Sequence, residues 1–205
     1  MKKKLIFIGN SIVAGYPWSK GKSFVSLARK ACTGLEIINK GVNGDTTAGI
    51  MHRFKTDVLD HDPDVVFFLT GTNDFIYREA TPQEAFENLE LMANLAISAG
   101  AVPVYITPLP VDADNAEVAW MAGMGIMYEA VNRQLDELAG MMETSGRLCL
   151  DFAKDFAAYA DEIGDPELVY LDGLHPMPGG HEFLAGKLIE FLEINEEDLW
   201  KPTRN

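Results

Sequence analysis

Short apolar runs alternate along this chain with longer segments in which apolar residues recur at helical spacing. The runs are Leu5–Ile8, Glu36–Asn39, Val65–Leu69, Val102–Ile106 and Leu148–Leu150. The helical patterns cover roughly Ser23–Ala31, Thr46–Leu59, Thr81–Ala99, Ala116–Thr144 and Gly180–Leu192. Strictly alternating strands and helices form a parallel sheet covered on both faces. The pattern therefore predicts an α/β fold, a three-layer α/β/α sandwich with about five strands and a long loop after the last one.

Composition and charge narrow the class of protein. The chain has 205 residues, of which 47% are hydrophobic and 23% charged, and no linker rich in Pro, Gly or Ser divides it. We therefore expect residues 1–205 to form a single domain. The formal net charge of -14 repels phosphate backbones and anionic bilayers. Neither nucleic acid nor a membrane surface is expected as a partner.

The N-terminus begins like a secretory signal peptide, but its apolar run is too short to form the core of one. Three lysines precede the apolar run Leu5–Ile8, but this run has four residues, against the ~7–15 of a signal core. No apolar stretch approaches the ~18–20 residues of a membrane span. Cys32 and Cys149 lie far apart in apolar sequence, which favours buried thiols over a disulfide. We predict a cytoplasmic protein with no membrane insertion; the sequence gives no indication of its oligomeric state.

Glycines and polar residues follow the predicted strands. These segments are Gly9–Ser11, Gly41–Thr46, Gly71–Asp74, Thr107–Pro110 and, after the long loop, Asp172–Pro176. In a parallel sheet, ligands bind beyond the carboxyl ends of the strands. The five segments therefore predict a functional site at one edge of the sheet.

A serine nucleophile with a base can be assembled from these segments. Ser11 follows the first strand directly, and a serine hydroxyl needs a base that a third group orients. Asp172 precedes His175 by three residues, a spacing that lets the carboxylate reach one imidazole nitrogen in a tight turn. Taken alone, this DxxH pattern is equally compatible with a simple turn that carries a surface histidine.

The other three histidines are better explained structurally. His52 lies among charged neighbours in a helix, and His61 lies in a turn before a strand. His181 begins the last helix, where it is expected to cap the helix or to be solvated.

Acyl transfer also requires donors that face the developing oxyanion. Gly44 can present its backbone N–H at close range because it lacks a side chain. Asn73 follows a strand and a glycine, so its amide can project to the same edge. Each also has a plain alternative, since Gly44 suits a turn or a helix cap and Asn73 suits an Asx turn.

The motifs of metal and nucleotide sites are missing from the sequence. There is no HExxH and no cluster of His and Cys, and Asp172 with His175 supplies only two metal ligands. No GxxxxGK[ST] or strand-linked GxGxxG occurs, and Ser11 does not lie in a GxSxG elbow. We expect neither a metal nor a cofactor.

Four of these segments, in this order, resemble the four blocks of the SGNH hydrolases, also called GDSL-type esterases and lipases: those that begin at Gly9, Gly41, Gly71 and Asp172. The resemblance covers nearly the whole chain. It implies that Ser11 is the nucleophile, that His175 is the base, and that Asp172 orients it. It further implies an oxyanion hole formed by the N–H groups of Ser11 and Gly44 and by the side-chain amide of Asn73. The implied fold is flavodoxin-like, with strand order 2-1-3-4-5.

One residue departs from the family pattern. The family usually has aspartate where this chain has Asn10. Because that aspartate is not a member of the triad, we expect the substitution to change local hydrogen bonding and to leave the mechanism in place.

The resemblance implies a serine esterase that acts on a small-molecule ester, and we favour small or medium acyl chains. A carbohydrate O-acetylesterase is the alternative, and a non-catalytic binding protein on the same fold is disfavoured because all four blocks are present. The methionine-rich segment Trp120–Tyr128 could line or cover an acyl pocket, although an ordinary helix core is the preferred interpretation.

Overall fold

The sheet predicted from the apolar runs is present in the computed structural model, which describes residues 2–18, 21–120 and 128–200. Its five parallel strands lie in the order β2-β1-β3-β4-β5. Their bounds are β1 Lys4–Gly9, β2 Glu36–Gly41, β3 Val65–Leu69, β4 Val102–Ile106 and β5 Leu148–Leu150. Both the three-layer sandwich and the strand order are confirmed.

Eleven α-helices are described around the sheet. Their bounds are α1 Ser11–Ala14, α2 Phe24–Ala31, α3 Thr47–Asp57, α4 Thr72–Ile76, α5 Pro82–Ser98, α6 Ala113–Trp120, α7 Tyr128–Thr144, α8 Phe152–Ile163, α9 Pro166–Val169, α10 Pro178–Ile194 and α11 Glu196–Leu199. A 3₁₀ turn, Leu59–His61, follows α3.

The inner strands β1, β3 and β4 are largely apolar because each face of the sheet is covered by its own helical layer, whereas the edge strand β2 also contains Glu36, Asn39 and Lys40. Successive strand residues point to opposite faces, so Phe7 and Phe67 pack under α2, α8 and α10. Ile8 and Phe68 pack under α3, α5 and α7. Two hydrophobic cores result, one on each face of the sheet.

The strand register brings the segments of the site together. Gly9 at the end of β1 pairs with Gly41 in β2 and with Leu69 in β3. The chain leaves all three strands at the same edge, so Ser11, the loop after β2 and the turn before α4 begin side by side.

One predicted loop is wrong. The stretch between β5 and Asp172 contains α8 and the short α9. Asp151 caps α8 by accepting a hydrogen bond from the Lys154 N–H, and Phe152 and Phe156 on one face of this helix are fully buried. A cap followed by apolar residues at i and i+4 is a helix signal in the sequence itself.

The predicted helix Ala116–Thr144 also needs correction. The structure has α6, which begins at Ala113, and a separate α7, which begins at Tyr128. Of the methionine-rich segment Trp120–Tyr128, only the first and last residues belong to the described part of the chain. The prediction that this segment forms a pocket wall or a helix core therefore concerns mostly residues outside the described ranges.

His181 is neither a solvated residue nor a helix cap. It lies inside α10, completely buried, and its Nδ1 accepts a hydrogen bond from the Phe24 N–H at 3.4 Å. Burial, with a smaller contribution from the nearby His175, lowers the pKa of His181 to about 4. The imidazole is therefore neutral at pH 7 and serves the packing of α10 on α2.

The two cysteines are free, as expected, but each is only partly buried. Burial raises the pKa of Cys149 to about 12, which keeps this thiol protonated. That residues 1–205 form one domain stays a prediction.

Candidate active site

Ser11 is held at the start of a short helix by its neighbours on both sides. A Cβ at Gly9 would lie 2.0 Å from the carbonyl oxygen of Leu69, so glycine allows β1 and β3 to end in contact. Asn10 caps α1, since its side-chain oxygen accepts the Ile12 N–H at 3.0 Å. The N–H of Ser11 is in the first turn, where a helix supplies no acceptor. It is therefore free to donate to a ligand beside its own hydroxyl.

His175 lies between Ser11 and Asp172. Its Nε2 is 2.8 Å from the Ser11 Oγ, and its Nδ1 is 2.8 Å from Oδ2 and 3.1 Å from Oδ1 of Asp172. A carboxylate can only accept, so the imidazole proton faces Asp172 and Nε2 is left to accept from the serine. These contacts join the Ser11 hydroxyl, the His175 imidazole and the Asp172 carboxylate in one line, the arrangement expected of a nucleophile, its base and an orienting acid.

The turn that carries this base is built around Asp172. Its Oδ1 accepts the N–H groups of Leu174 and His175 at 3.0 and 2.9 Å. Gly173 has a φ of 79°, and a Cβ there would lie 2.3 Å from the Ala116 nitrogen in α6. Burial tends to raise the pKa of Asp172, but the hydrogen bonds from His175 and Leu174 outweigh it and lower this pKa below its ordinary value. The acid is therefore ionised at neutral pH.

The two other candidate donors line the same cavity as Ser11 and His175. Gly44 has a φ of 77°, a left-handed conformation that favours glycine. The Asn73 side-chain nitrogen donates to the Asp45 carbonyl oxygen at 2.9 Å. An amide nitrogen carries two hydrogens, so this bond fixes the amide and leaves the second hydrogen for another acceptor.

The neighbour of Asn73, Asp74, is a buried carboxylate. It accepts hydrogen bonds from the N–H and the hydroxyl of Thr47, and the Thr47 hydroxyl in turn accepts one from Asn88. Burial raises the pKa of Asp74 to about 6 despite the Thr47 hydrogen bonds, which lower it. These contacts connect α4, which carries Asn73, to the start of α3.

The cavity has a volume of about 400 Å³ and largely apolar walls. Its described lining residues are Asn10, Ser11, Ile12, Tyr16, Asn43, Gly44, Thr72, Asn73, Ile76, Tyr77, Trp120, Tyr128, Leu174 and His175. Asp172 is absent from this lining and lies behind His175. Four of the five sequence-predicted site residues therefore face one cavity, and the fifth supports the histidine from behind.

Two aromatic side chains beside the base were missed as site residues. The rings of Tyr16 and Trp120 lie 4.7 and 5.8 Å from the His175 ring, centroid to centroid. Tyr16 follows Gly15, whose φ of 84° ends α1 and turns the chain back toward Ser11. The closeness of Tyr16 to Ser11 in sequence was the one available signal for this residue, whereas Trp120 begins the segment Trp120–Tyr128 that was considered as a pocket lining and interpreted as helix core.

Comparison with known proteins identifies the family. The model of the GDSL-like Lipase/Acylhydrolase family matches residues 7–183, a span that contains every residue of the site described above. The chain belongs to the GDSL-like lipase/acylhydrolase family, the SGNH hydrolases. It is thus a carboxylic ester hydrolase of this family, as the order of its sequence blocks predicted.

Two relatives are similar to this chain in sequence. An arylesterase of Vibrio mimicus is 27% identical over 198 residues, which cover 93% of this chain and 90% of the arylesterase. An uncharacterized lipoprotein of Bacillus subtilis, YqeF, is 32% identical over 124 residues, or 55% of this chain. The match spans about half of the lipoprotein, 51% of its length.

Among solved structures, a catalytic mutant of Axe2, an acetylxylan esterase from Geobacillus stearothermophilus, superposes with a TM-score of 0.71 at 19% identity. The superposition covers 93% of this chain and 94% of Axe2. At this identity the likeness shows that the two proteins share the SGNH hydrolase fold.

The asparagine that departs from the family pattern keeps a structural role. Asn10 caps α1 through its side-chain oxygen, an atom that aspartate also possesses. The cap bond is therefore the same with either residue, and the negative charge is what this chain lacks at position 10.

Within residues 2–18, 21–120 and 128–200, no group of three or more His, Cys, Asp or Glu side chains could hold a metal ion. No helix in the same ranges is both long and apolar enough to cross a bilayer. That the enzyme needs neither metal nor cofactor stays a prediction.

Replacement of Asn73 by alanine is expected to lower kcat about 10²- to 10³-fold, as removal of one preorganised oxyanion donor does elsewhere. The Michaelis constant should change little, because the lost hydrogen bond forms mainly in the transition state. Steady-state kinetics on p-nitrophenyl acetate measure both quantities. Asn195→Ala, which removes an amide that likewise donates to a backbone carbonyl oxygen but at the end of α10, serves as the matched control. An Asn73→Ala variant with the wild-type kcat would exclude this amide from the oxyanion hole.

Proposed function

We propose that this enzyme hydrolyses esters of small or medium acyl chains through an acyl-enzyme on Ser11. The observation that carries the proposal is the line of hydrogen bonds from the Ser11 hydroxyl through His175 to Asp172 at the wall of an apolar cavity. In the first step the Ser11 Oγ attacks the acyl carbonyl while His175 Nε2 takes its proton. The charge that develops on the carbonyl oxygen is stabilised by the Ser11 and Gly44 N–H groups and the Asn73 amide.

The second half of the reaction uses the same groups. His175, now protonated, gives its proton to the leaving alcohol, and the Asp172 carboxylate stabilises the imidazolium until then. Water then attacks the acyl-enzyme while His175 Nε2 takes its proton. The bond between the acyl carbon and the Ser11 Oγ breaks, and His175 returns the proton to the Oγ as the carboxylic acid leaves.

The leaving alcohol must lie beside His175, since Nε2 protonates its oxygen. The aromatic rings of Tyr16 and Trp120 flank the imidazole, and both are partly exposed, at 36% and 42%. The alcohol therefore contacts aromatic surface, which favours alcohols with a flat ring over short open chains. The arylesterase activity of the Vibrio mimicus relative agrees with this assignment.

Tyr16→Ala and Trp120→Ala are each expected to lower kcat/KM for phenyl acetate threefold to tenfold more than for ethyl acetate, about the worth of one aromatic contact. Both esters give the same acetyl-enzyme, so a difference between them reports on the alcohol alone. Tyr16→Phe keeps the ring and should behave as the wild type. Equal losses on both esters would show that these rings do not contact the alcohol.

A carbohydrate O-acetylesterase is the second candidate. It is supported by the structural likeness to the acetylxylan esterase Axe2 and by the same two rings, because aromatic faces also pack against sugar rings. The substrate in either case is a small-molecule ester, and the cytoplasmic location inferred from the sequence stays a prediction.

Hydrolysis of p-nitrophenyl acetate, butyrate and octanoate, together with acetylated xylo-oligosaccharides, separates the candidates. The proposal predicts turnover of the first two nitrophenyl esters and a decline at octanoate, since the cavity holds about 400 Å³. Faster deacetylation of the sugars would favour the second candidate. Failure on every ester would contradict both and favour a binding role.

A further inference from the structure

Arg53 in α3 connects the nucleophile strand to the loop of the oxyanion hole. Its Nη2 donates to the Gly9 carbonyl oxygen at 3.1 Å, two residues before Ser11. Its Nη1 donates to the Lys40 carbonyl oxygen at 2.9 Å, where β2 ends. Its Nε donates to Oδ2 of Asp45 at 2.7 Å, directly after Gly44. One guanidinium therefore joins the ends of β1 and β2 to the loop that follows β2.

The contact with Asp45 continues to the oxyanion donor Asn73. The Asp45 carboxylate is held by Arg53, while the carbonyl oxygen of the same residue accepts the Asn73 side-chain N–H at 2.9 Å. Displacing Asp45 would therefore shift the neighbouring Gly44 and release the Asn73 amide from its fixed orientation. The positions of Gly44 and Asn73 are therefore both connected to the contact between Arg53 and Asp45.

The network around Arg53 is well shielded from solvent. The Arg53 side chain is 18% exposed and that of Asp45 is 12% exposed. Gly49 makes room for it, because a Cβ there would lie 2.0 Å from Oδ1 of Asp45. Asp57, one turn further along α3, receives a second Nη1 hydrogen bond at 2.8 Å and fixes the guanidinium from behind. Shielded pairs of this kind hold their geometry better than exposed ion pairs do.

We propose that Arg53 is a positioning residue for catalysis, which sets the oxyanion donors Gly44 and Asn73 relative to the Ser11 hydroxyl. This inference rests on the proposed function, since it requires that Gly44 and Asn73 stabilise an oxyanion. Arg53 does not touch the reacting atoms; it acts through Asp45 and through the carbonyl group that precedes Asn10. Donors displaced by a fraction of an ångström lose most of their effect on the transition state and little of their effect on substrate binding.

Lysine cannot replace arginine in this arrangement. An ammonium keeps the charge, but it is a single point on a flexible chain, whereas the guanidinium donates from three nitrogens in a fixed plane. Arg53→Lys therefore removes the connection between the segments while leaving the charge balance of the protein unchanged.

The matched control is Arg147→Lys. Arg147 also forms a shielded pair, with Nε and Nη2 each 2.7 Å from a Glu90 oxygen and a side chain 17% exposed, and it lies between α7 and β5, away from the cavity. Both variants should unfold at a somewhat lower temperature than the wild type. Arg53→Lys alone should lower kcat on p-nitrophenyl acetate, about 10- to 50-fold, with KM changed less than about threefold.

A double-mutant cycle with Asn73→Ala distinguishes positioning from general destabilisation. If Arg53 acts through the oxyanion donors, Arg53→Lys should cost less than about threefold in kcat once the Asn73 amide is absent. An equal cost in both backgrounds, or an unchanged kcat in Arg53→Lys, would overturn the inference while the Asn73→Ala effect still supports the proposed function. An Asn73→Ala variant with full activity would exclude this amide from the oxyanion hole and overturn the inference, while hydrolysis that is lost in Ser11→Ala would still support the proposed function.

Discussion

Replacement of Ser11 by alanine should lower kcat for ester hydrolysis on the order of 10⁵- to 10⁶-fold, the largest effect of any single substitution in this enzyme. The Ser11 Oγ lies 2.8 Å from His175 Nε2, and without it no acyl-enzyme can form. The remaining rate would come from the oxyanion donors and from His175 acting on water.

The measurement is the initial rate on p-nitrophenyl acetate, with Ser98→Ala as the control. Ser98 is an exposed serine at the end of α5 whose hydroxyl bonds only the Asn94 carbonyl group of its own helix among the described contacts, so its loss should leave kcat unchanged. Activity in Ser11→Ala within tenfold of the wild type would show that Ser11 is not the nucleophile.

Asp172→Asn should lower kcat about 10⁴-fold. The oxygen of the new amide is expected to occupy the Oδ1 position, where it keeps the N–H groups of Leu174 and His175 as donors. The NH₂ group then faces His175 Nδ1 and donates to it. The imidazole must carry its proton on Nε2, where it cannot accept the proton of Ser11. The geometry is preserved while the base is disabled.

The control for this variant is Asp165→Asn, which changes an exposed aspartate that caps the short α9. Its kcat should match that of the wild type. The decisive measurement is the rate of acyl-enzyme formation after rapid mixing with p-nitrophenyl acetate, since Asp172 assists proton transfer from Ser11. A loss below tenfold in Asp172→Asn would limit Asp172 to a structural role in the turn.

Much of the fold follows from the local sequence. The inner strands β1, β3 and β4 are largely apolar because each is covered on both faces, and that pattern is visible without a structure. Thr81 and Glu84 form a capping box before α5, and Gly100 follows the helix with a φ of 89°. Such local signals set where elements begin and end.

Two other features were misjudged. The segment that forms α8 was predicted as part of a long loop, although Asp151 caps this helix and Phe152 and Phe156 lie at i and i+4. His181 was expected at the surface because it stands near the start of α10. Its burial against α2 depends on a contact across more than 150 residues, which periodicity alone cannot reveal.

The residues singled out from the sequence lie together at one cavity because parallel strands place their carboxyl ends at the same edge of the sheet. Ser11, Gly44 and Asn73 follow β1, β2 and β3, which are adjacent in the sheet. Arg53 lies inside a helix, where nothing in the sequence distinguishes a residue beside the site from one elsewhere, and Trp120 was noted only as the first residue of a segment interpreted as helix core. Their contribution became visible only when the contacts with His175 and Asp45 were known.

Covalent labelling tests most directly the claim that Ser11 is a nucleophile activated by His175. A fluorophosphonate reacts with a serine that an adjacent base activates and leaves ordinary serines untouched. If Ser11 is the nucleophile, we expect one adduct per chain, on the peptide that contains Ser11, with no labelling of Ser11→Ala and little labelling of Asp172→Asn. An adduct on another residue, or an active enzyme that the reagent neither labels nor inhibits, would contradict it.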